Sequence, residues 1–164
     1  MIWTPGLKNN LRRGKNMNER YKHTQIGTAI IITTLLALIF FIALLIVKDL
    51  LTKRYLIAYF LAIELILLIL FSTLNVRIED KNLIVKFGIG VIKRKFNLDD
   101  IESCKAVKNP WYYTWGIKII PNGWLFAVSG FKAVELKLRT GKIFRVGTDE
   151  PQELEKAINK AIGK

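Results

Sequence analysis

Two long apolar runs dominate the first half of the chain. Residues 26–47 form a run without any charged residue, and residues 55–74 form a second run whose one charge is Glu64. As helices, these runs would extend about 33 Å and about 30 Å, which matches the hydrocarbon thickness of a bilayer. The pattern predicts two transmembrane helices, because a helix of a water-soluble protein is rarely apolar on every side.

The connector between the two runs sets their relative direction. Residues 48–54 form a short link, so the helices are expected to run antiparallel, with both chain termini on one side. Basic residues are more numerous before the first run and after the second run than in the connector, as is typical of cytoplasmic flanks. We therefore expect a multi-pass protein of the plasma membrane, with the lipid bilayer as integral partner and with both termini and the C-terminal domain in the cytoplasm.

A polar, basic segment precedes the first run. Residues 1–25 carry several lysines and arginines but little apolar periodicity, which predicts a disordered tail. Met17 is an alternative start of the protein, in which case the tail would be shorter.

From residue 75 onward, short alternating segments separated by turn residues predict antiparallel strands. The predicted strands are Thr73–Glu79, Leu83–Gly88, Val91–Leu98, Ile101–Lys108, Trp115–Ile120, Trp124–Ser129, Ala133–Arg139 and Lys142–Gly147. An apolar stripe predicts a final helix at residues 150–162, with Asp149 as its N-cap. The expected fold is a membrane protein: a two-helix transmembrane hairpin (26–74), then a domain (75–164) built as an antiparallel β roll or barrel of about seven strands with one capping C-terminal helix.

The second half of the chain also resembles a known family. The stretches FGIGVIKRKFNLDDI (87–101) and GIKIIPNGWLFAVSGFKAVELKLRTGKIFRVGTDEP (116–151) are similar to those of a bacterial pleckstrin-homology (PH)-like family of membrane-attached proteins. The resemblance covers about residues 76–162. It implies a PH-like roll joined to short membrane anchors, often two helices. It also implies a binding or assembly module, with no catalytic residues to transfer.

Composition narrows the chemistry further. The net charge is +13, and the chain has one cysteine and one histidine. A disulfide within the chain and a Cys/His metal cluster are both excluded. Because no nucleophile–base pair or metal set is visible, we expect neither an enzyme nor a cofactor. No nucleic-acid-reading motif accompanies the positive charge, so nucleic acid is not an expected partner.

Glu64 lies in the middle of the second apolar run, where an ionised carboxylate is costly. Three roles are open. It forms a hydrogen bond with Thr33 or Thr34 of the first helix, it joins protomers in an oligomer, or it belongs to an ion or proton path.

Basic and aromatic side chains suggest a binding surface in the C-terminal domain. The candidate surface for a partner or a lipid consists of Lys81, Lys86, Lys93, Lys95, Trp111, Tyr112 and Tyr113. Strand alternation places Lys93 and Lys95 on one face of their strand and Arg94 on the other. Aromatic residues of this kind favour interfaces, and clustered lysines attract anionic headgroups.

The leading functional expectation is a membrane-tethered, non-enzymatic binding or assembly module that presents this surface to an unknown protein partner or to its own copies as a homo-oligomer. Two alternatives remain: a sensor or regulator that binds anionic lipid headgroups, and a small transporter or channel subunit that uses Glu64.

Overall fold

Nine β-strands and three α-helices account for most of the part of the chain that the computed structural model describes, residues 19–46, 54–113 and 115–163. The strands are β1 Glu19–Ile26, β2 Thr73–Glu79, β3 Asn82–Phe87, β4 Ile92–Asn97, β5 Ile101–Lys108, β6 Gly116–Ile120, β7 Gly123–Ala127, β8 Lys132–Leu138 and β9 Ile143–Gly147. The helices are α1 Thr28–Ile46, α2 Arg54–Phe71 and α3 Pro151–Ala161. We call α1 and α2 the helix pair, and the nine strands with α3 the β body.

The strands form two sheets rather than one roll of about seven strands, so that part of the predicted fold is wrong. The first sheet has the order β1-β2-β3-β4, and the second has the order β5-β8-β9-β7-β6. The pairing is antiparallel except between β7 and β9, which run parallel. This exception arises because β9 turns back from β8 and inserts beside β7, with Gly123 next to Ile143. A side chain at position 123 would collide with the Ile143 carbonyl, so glycine is required there.

The first strand lies in the region predicted to be a disordered tail. Strand β1 pairs with β2 in antiparallel register, for example His23 opposite Val76. The prediction for residues 19–25 is therefore wrong, while residues 1–18, including Met17, lie outside the described residues. The inward-facing side chains are Tyr21, His23 and Gln25, and the alternate positions Lys22 and Thr24 are exposed. Because the inward positions are polar, the usual apolar alternation of a strand is absent.

The core of the β body lies between the sheets and beneath α3. In β2, Leu74, Val76 and Ile78 are buried while the intervening residues are partly exposed, as expected for period-two alternation. From α3, Leu154 and Ile158 pack onto the same cluster. A helix that is apolar on one face thus closes the end of the core.

The N-terminus of α3 differs in detail from the prediction. Glu150 rather than Asp149 occupies the N-cap position, and its side chain makes no capping hydrogen bond. The Glu150 backbone N–H instead donates to Thr148 Oγ1 at 3.1 Å. Asp149 is engaged elsewhere, because its Oδ1 lies 2.6 Å from Nε2 of His23 on β1. This contact fastens the N-terminal strand to the C-terminal helix.

The helix pair is shorter than the apolar runs that predicted it. The two helices as described have 19 and 18 residues, which gives lengths of about 28 Å and 27 Å. The reduction arises because Ile26 and Leu74, assigned to the spans, lie in β1 and β2. In the described ranges, no helix combines the length and the apolar character that crossing a membrane requires. The predicted transmembrane hairpin and the multi-pass plasma-membrane location are therefore wrong.

Two connections hold the helix pair against the β body. At the start of α1, the Gly27 N–H donates to the Ser72 carbonyl at 2.7 Å, and the Thr28 and Ser129 hydroxyls lie 2.9 Å apart. At the end of α2, Gly88 has a positive φ of 47°. A Cβ at this glycine would collide with the carbonyl oxygens of residues 69 and 70. The close approach of α2 to β3 therefore depends on this glycine.

Candidate binding groove

One side of the β body opens into a hollow between the two sheets. It has a volume of about 300 Å³ and lies where edge strand β4 meets β6, β7 and β9. Two neighbouring hollows, of about 380 Å³ and 270 Å³, share Arg94 and Phe144 with it. We call the three together the basic groove. Its lining includes basic and aromatic side chains, namely Lys93, Arg94, Lys95, Trp124, Phe126, Lys142 and Phe144.

Aromatic rings form the floor of the basic groove. Phe126 and Phe144 are stacked, with ring centroids 6.2 Å apart and an interplanar angle of 6°. Both rings are buried, whereas Trp124 beside them is exposed. Phe96 meets Phe144 edge-on with centroids 4.9 Å apart. The floor is rigid because each ring is fixed by neighbours in the core.

Arg94 lies directly above this floor. Its Cζ atom is 5.6 Å from the centroid of the Phe144 ring, within the range of a cation–π contact. The ring face holds the guanidinium at the groove while its donors stay available to a ligand, since the contact uses none of them. Arg94 therefore marks the centre of the groove with a positioned positive charge.

The other cations around Arg94 lack acidic partners. Lys93, Lys95 and Lys142 also line the groove, and none of these four side chains makes an ion pair with another described residue. In contrast, Arg145 at the far side of β9 pairs with Glu135 at 2.8 Å. Asp100 is the one acidic residue in the lining, so the four basic side chains leave an excess of positive charge above an apolar floor. This arrangement favours anionic ligands with an apolar part.

Strand edges border the groove on both sides. In the described part of the chain, β4 pairs with β3 alone and β6 pairs with β7 alone, so each has one edge without a strand neighbour. An edge strand presents backbone N–H and C=O groups that another extended segment is able to pair with. On β6 the side chain of Ile119 is exposed at this edge.

Sequence reasoning identified only part of this site. Lys93 and Lys95 were predicted and line the groove, but Arg94, Trp124, Lys142 and Phe144 were not selected. A signal for Arg94 existed, because alternation places it on the side of β4 that also holds buried Phe96. Arg94 itself is exposed, and an arginine on the same side of an edge strand as a buried aromatic ring is a candidate for a site. Phe144 reaches the groove because β9 pairs with β7, and a local sequence pattern does not predict this long-range pairing.

The remaining predicted lysines lie apart from the groove. Lys81 sits in the turn between β2 and β3 and forms an exposed ion pair with Asp99 at 3.7 Å. Lys86 on β3 stands opposite Lys93 in the strand register. Neither residue belongs to the lining of the groove.

The aromatic triplet also lies outside the groove. Trp111, Tyr112 and Tyr113 form a short 3-10 turn between β5 and β6, with Trp111 and Tyr112 exposed. The three rings contact each other edge-on in sequence. Tyr113 also lies under Arg145, whose Cζ is 5.8 Å from the ring centroid. Trp111 and Tyr112 thus form a separate exposed aromatic surface, while Tyr113 packs against a small buried cluster.

The structure places Glu64, Thr33 and Thr34 along one hollow. This hollow, the junction pocket, has a volume of about 400 Å³ and lies between the helix pair and the start of β6. Its lining consists of Ile30, Thr33, Thr34, Glu64, Leu67, Phe71, Trp115 and Gly116. No hydrogen bond joins Glu64 to either threonine in the described part of the chain, and Thr33 Oγ1 donates instead to the carbonyls of Ala29 and Ile30, each at 3.0 Å.

Among the described residues, no group of three or more His, Cys, Asp or Glu side chains is arranged to hold a metal ion. Comparison with protein-family models, with curated proteins and with solved structures finds no match to this chain.

Proposed function

We propose that the protein is a non-enzymatic, PH-like binding module that holds an extended acidic and apolar segment of a partner protein in the basic groove. The segment pairs with the edge of β4, places carboxylates near Arg94 and its lysine neighbours, and places apolar side chains on the aromatic floor. The observation that carries the proposal is the guanidinium of Arg94, held 5.6 Å above the Phe144 ring at the mouth of an apolar hollow.

The strand edge supports an extended ligand. Peptides that add a strand to a sheet gain affinity from main-chain hydrogen bonds and specificity from pockets that receive alternate side chains. Strand β4 offers both, because its outer edge is unpaired among described strands and a hollow of about 300 Å³ adjoins it. A side chain of the ligand that points inward would meet Phe126 and Phe144.

A simpler explanation for the lysines of β4 is protection against aggregation, since charged residues on edge strands discourage unwanted pairing. That explanation accounts for Lys93 and Lys95, which are exposed on the edge strand. It does not account for Arg94, which lies over a buried aromatic ring, or for the hollow beside it. The position of Arg94 over the Phe144 ring favours recognition.

Charge selects the kind of partner. The chain carries a net charge of +13, so a second copy would bring a like charge to the groove. An acidic segment of another protein would instead gain from the field of the groove during encounter and from hydrogen bonds to Arg94 once bound. An acidic protein partner is therefore favoured over self-association at this site.

The PH-like character belongs to the proposal. It is supported by the C-terminal helix α3, whose Leu154 and Ile158 cover the core between two β-sheets. The parallel pairing of β7 with β9 is a departure from a simple antiparallel roll. This departure brings Phe144 of β9 beside Phe126 of β7, where it forms the floor of the groove.

Fluorescence anisotropy of a labelled ten-residue peptide that alternates glutamate with valine and phenylalanine tests the proposal on the full-length chain. We expect binding that weakens at least about tenfold in Arg94→Gln, because hydrogen bonds to charged groups contribute about 1.5–3 kcal/mol. Lys105→Gln is the matched control, since it removes one charge from an exposed position on β5, away from the groove. It should leave the affinity unchanged at equal salt.

Three results would overturn the proposal. One is equal binding of a peptide in which every glutamate is replaced by glutamine. The second is equal binding by wild type and Arg94→Gln. The third is binding of vesicles rich in phosphatidylglycerol, through Arg94, by a chain that does not bind the peptide, which would assign the groove to anionic lipid.

A further inference from the structure

The junction pocket contains a carboxylate in unusual surroundings. Glu64 comes from α2, while Ile30, Leu67 and Phe71 surround it with apolar surface. The pocket shares none of its lining residues with the basic groove. The proposed ligand of the basic groove therefore does not explain the presence of Glu64 in the junction pocket.

Glu64 differs from the other acidic side chains of the described residues. The partly buried acids of the β body have partners: Glu79 pairs with Arg77, Glu135 with Arg145, and Glu155 accepts from the Ala106 N–H. Glu64 is partly buried too, yet it makes no hydrogen bond or ion pair with any described residue. Partial burial of a carboxylate without a partner is unfavourable, so a cationic ligand would relieve it.

The Thr33 hydroxyl lines the same pocket as Glu64, and it is able only to accept further hydrogen bonds. Thr33 Oγ1 already uses its single proton on the carbonyls of residues 29 and 30. Its remaining lone-pair capacity is able to receive a donor. A ligand that donates several hydrogen bonds matches this set of acceptors, whereas an anionic or purely accepting group does not.

An aromatic wall completes the pocket. The indole N–H of Trp115 donates to the Gly130 carbonyl at 3.1 Å, and its ring lies beside Phe131 with centroids 6.3 Å apart. These contacts fix the ring where it borders the pocket. Tryptophan is the side chain whose face attracts cations most strongly.

We propose that the junction pocket binds a small organic cation, an ammonium group attached to an apolar body. The ammonium lies at the Glu64 carboxylate and donates to Thr33 or Thr34. The apolar body fills the space between Leu67, Phe71 and Trp115. The volume of about 400 Å³ lies within the range of small-molecule sites. A bare divalent metal ion fits poorly, because Glu64 is the one carboxylate in the lining.

Indole N–H resonances give a direct readout of this pocket. The chain has four tryptophans, and Trp115→Phe assigns the Trp115 signal. We expect 4-phenylbutylammonium to shift the Trp115 resonance in a saturable manner. The neutral analogue 4-phenylbutan-1-ol, of the same size, should bind at least tenfold more weakly.

Two variants with the same charge change separate the site from a general charge effect. Glu64→Gln should weaken 4-phenylbutylammonium at least tenfold. Asp80→Asn is the matched control, because Asp80 lies in an exposed turn at a φ of 52° that asparagine tolerates, and it should bind as wild type does. Thermal melting checks that Glu64→Gln remains folded, which is expected since Glu64 has no partner to lose among the residues that the structure describes.

Equal affinity of the alcohol and the ammonium would overturn the proposal. So would unchanged binding in Glu64→Gln, or an equal loss in Asp80→Asn. A shift of other indole signals without that of Trp115 would place the cation elsewhere and overturn it as well.

Discussion

The helix pair and the β body are both rich in large apolar side chains, but the β body buries many of its own whereas the helix pair leaves many exposed. In the β body, Leu136 is fully buried, whereas Leu36 on α1 is 62% exposed. Strand alternation sorts apolar from polar residues onto two faces, so one face is covered by the core. The helices are apolar on all sides, so contact along one line leaves most of each helix uncovered. Apolar composition alone therefore does not reveal where a core lies.

Matched leucine substitutions test this difference most strongly. Leu136→Ala removes a fully buried side chain between the sheets, so we expect a loss of about 2–5 kcal/mol in the free energy of unfolding. Leu36→Ala removes an exposed side chain from α1, and alanine is a good helix former, so the expected change is below about 0.5 kcal/mol. Urea denaturation followed by far-ultraviolet circular dichroism measures both.

A large loss in the free energy of unfolding of Leu36→Ala would contradict this difference, because it would mean that Leu36 is covered in solution, for example by another copy of the chain. The oligomeric state, measured by sedimentation, would then show whether wild type and Leu36→Ala differ in association. Equal and small losses for both leucines would contradict the assigned core.

The junction between the regions gives the next largest expected effect. Gly88→Ala introduces a Cβ that collides with carbonyl oxygens near the end of α2, at a positive φ. We expect a loss of about 2–3 kcal/mol from the strained backbone and the displaced helix. Gly130→Ala is the matched control, with φ 67° and nothing within 4 Å of its Cβ, and should cost about 1 kcal/mol.

The difference between these two variants isolates the contact of α2 with β3, because the conformational cost of a positive φ is common to both. If both variants lose the same free energy of unfolding, the helix pair is not held against the β body at Gly88. Denaturant midpoints of the two variants, measured side by side, decide this.

The comparison also explains which parts of the fold were predictable. All eight strands predicted from residue 73 onward are present, with ends within two residues of the prediction. Their signals are local: alternation in β2, and turns such as that at Asn122, which adopts a φ of 62°. Strand β1 was missed because polar Tyr21, His23 and Gln25 occupy its inward positions.

Local sequence patterns did not predict which strands pair over long distances in the chain. The parallel pairing of β7 with β9 depends on which strand inserts between two others, and no turn residue specifies it. The apolar runs include Ile26 and Leu74, which belong to strands β1 and β2. The prediction therefore made both helices too long. At the groove, the basic residues of β4 were visible in the sequence, whereas Phe144 joined them through the sheet topology alone.

The smallest expected effect concerns the one strand of the β body whose inward face is polar. Burial, and then the negative charges of Glu150, Asp149 and Glu153, raise the pKa of Tyr21 from 10.0 to about 12. Its hydroxyl is buried without a hydrogen-bond partner among the described residues. Tyr21→Phe should therefore leave the free energy of unfolding at pH 7 unchanged or slightly higher, because it deletes an unpaired polar group.

The pH dependence of the wild type relative to Tyr21→Phe follows from that raised pKa. Below pH 10, Tyr21 is protonated in both the folded and the unfolded chain, so its contribution is fully present. Between pH 10 and 12 the unfolded chain ionises while the folded chain keeps its proton, and stability is lost as pH rises. Two pKa units correspond to about 2.7 kcal/mol for a sheltered group, and screening at a half-buried ring reduces this to about 1 kcal/mol. Urea denaturation of both chains at pH 8 and pH 11.5 measures this difference. A wild type that falls no further than Tyr21→Phe would show that the inward face of β1 is as open to water as the helix pair.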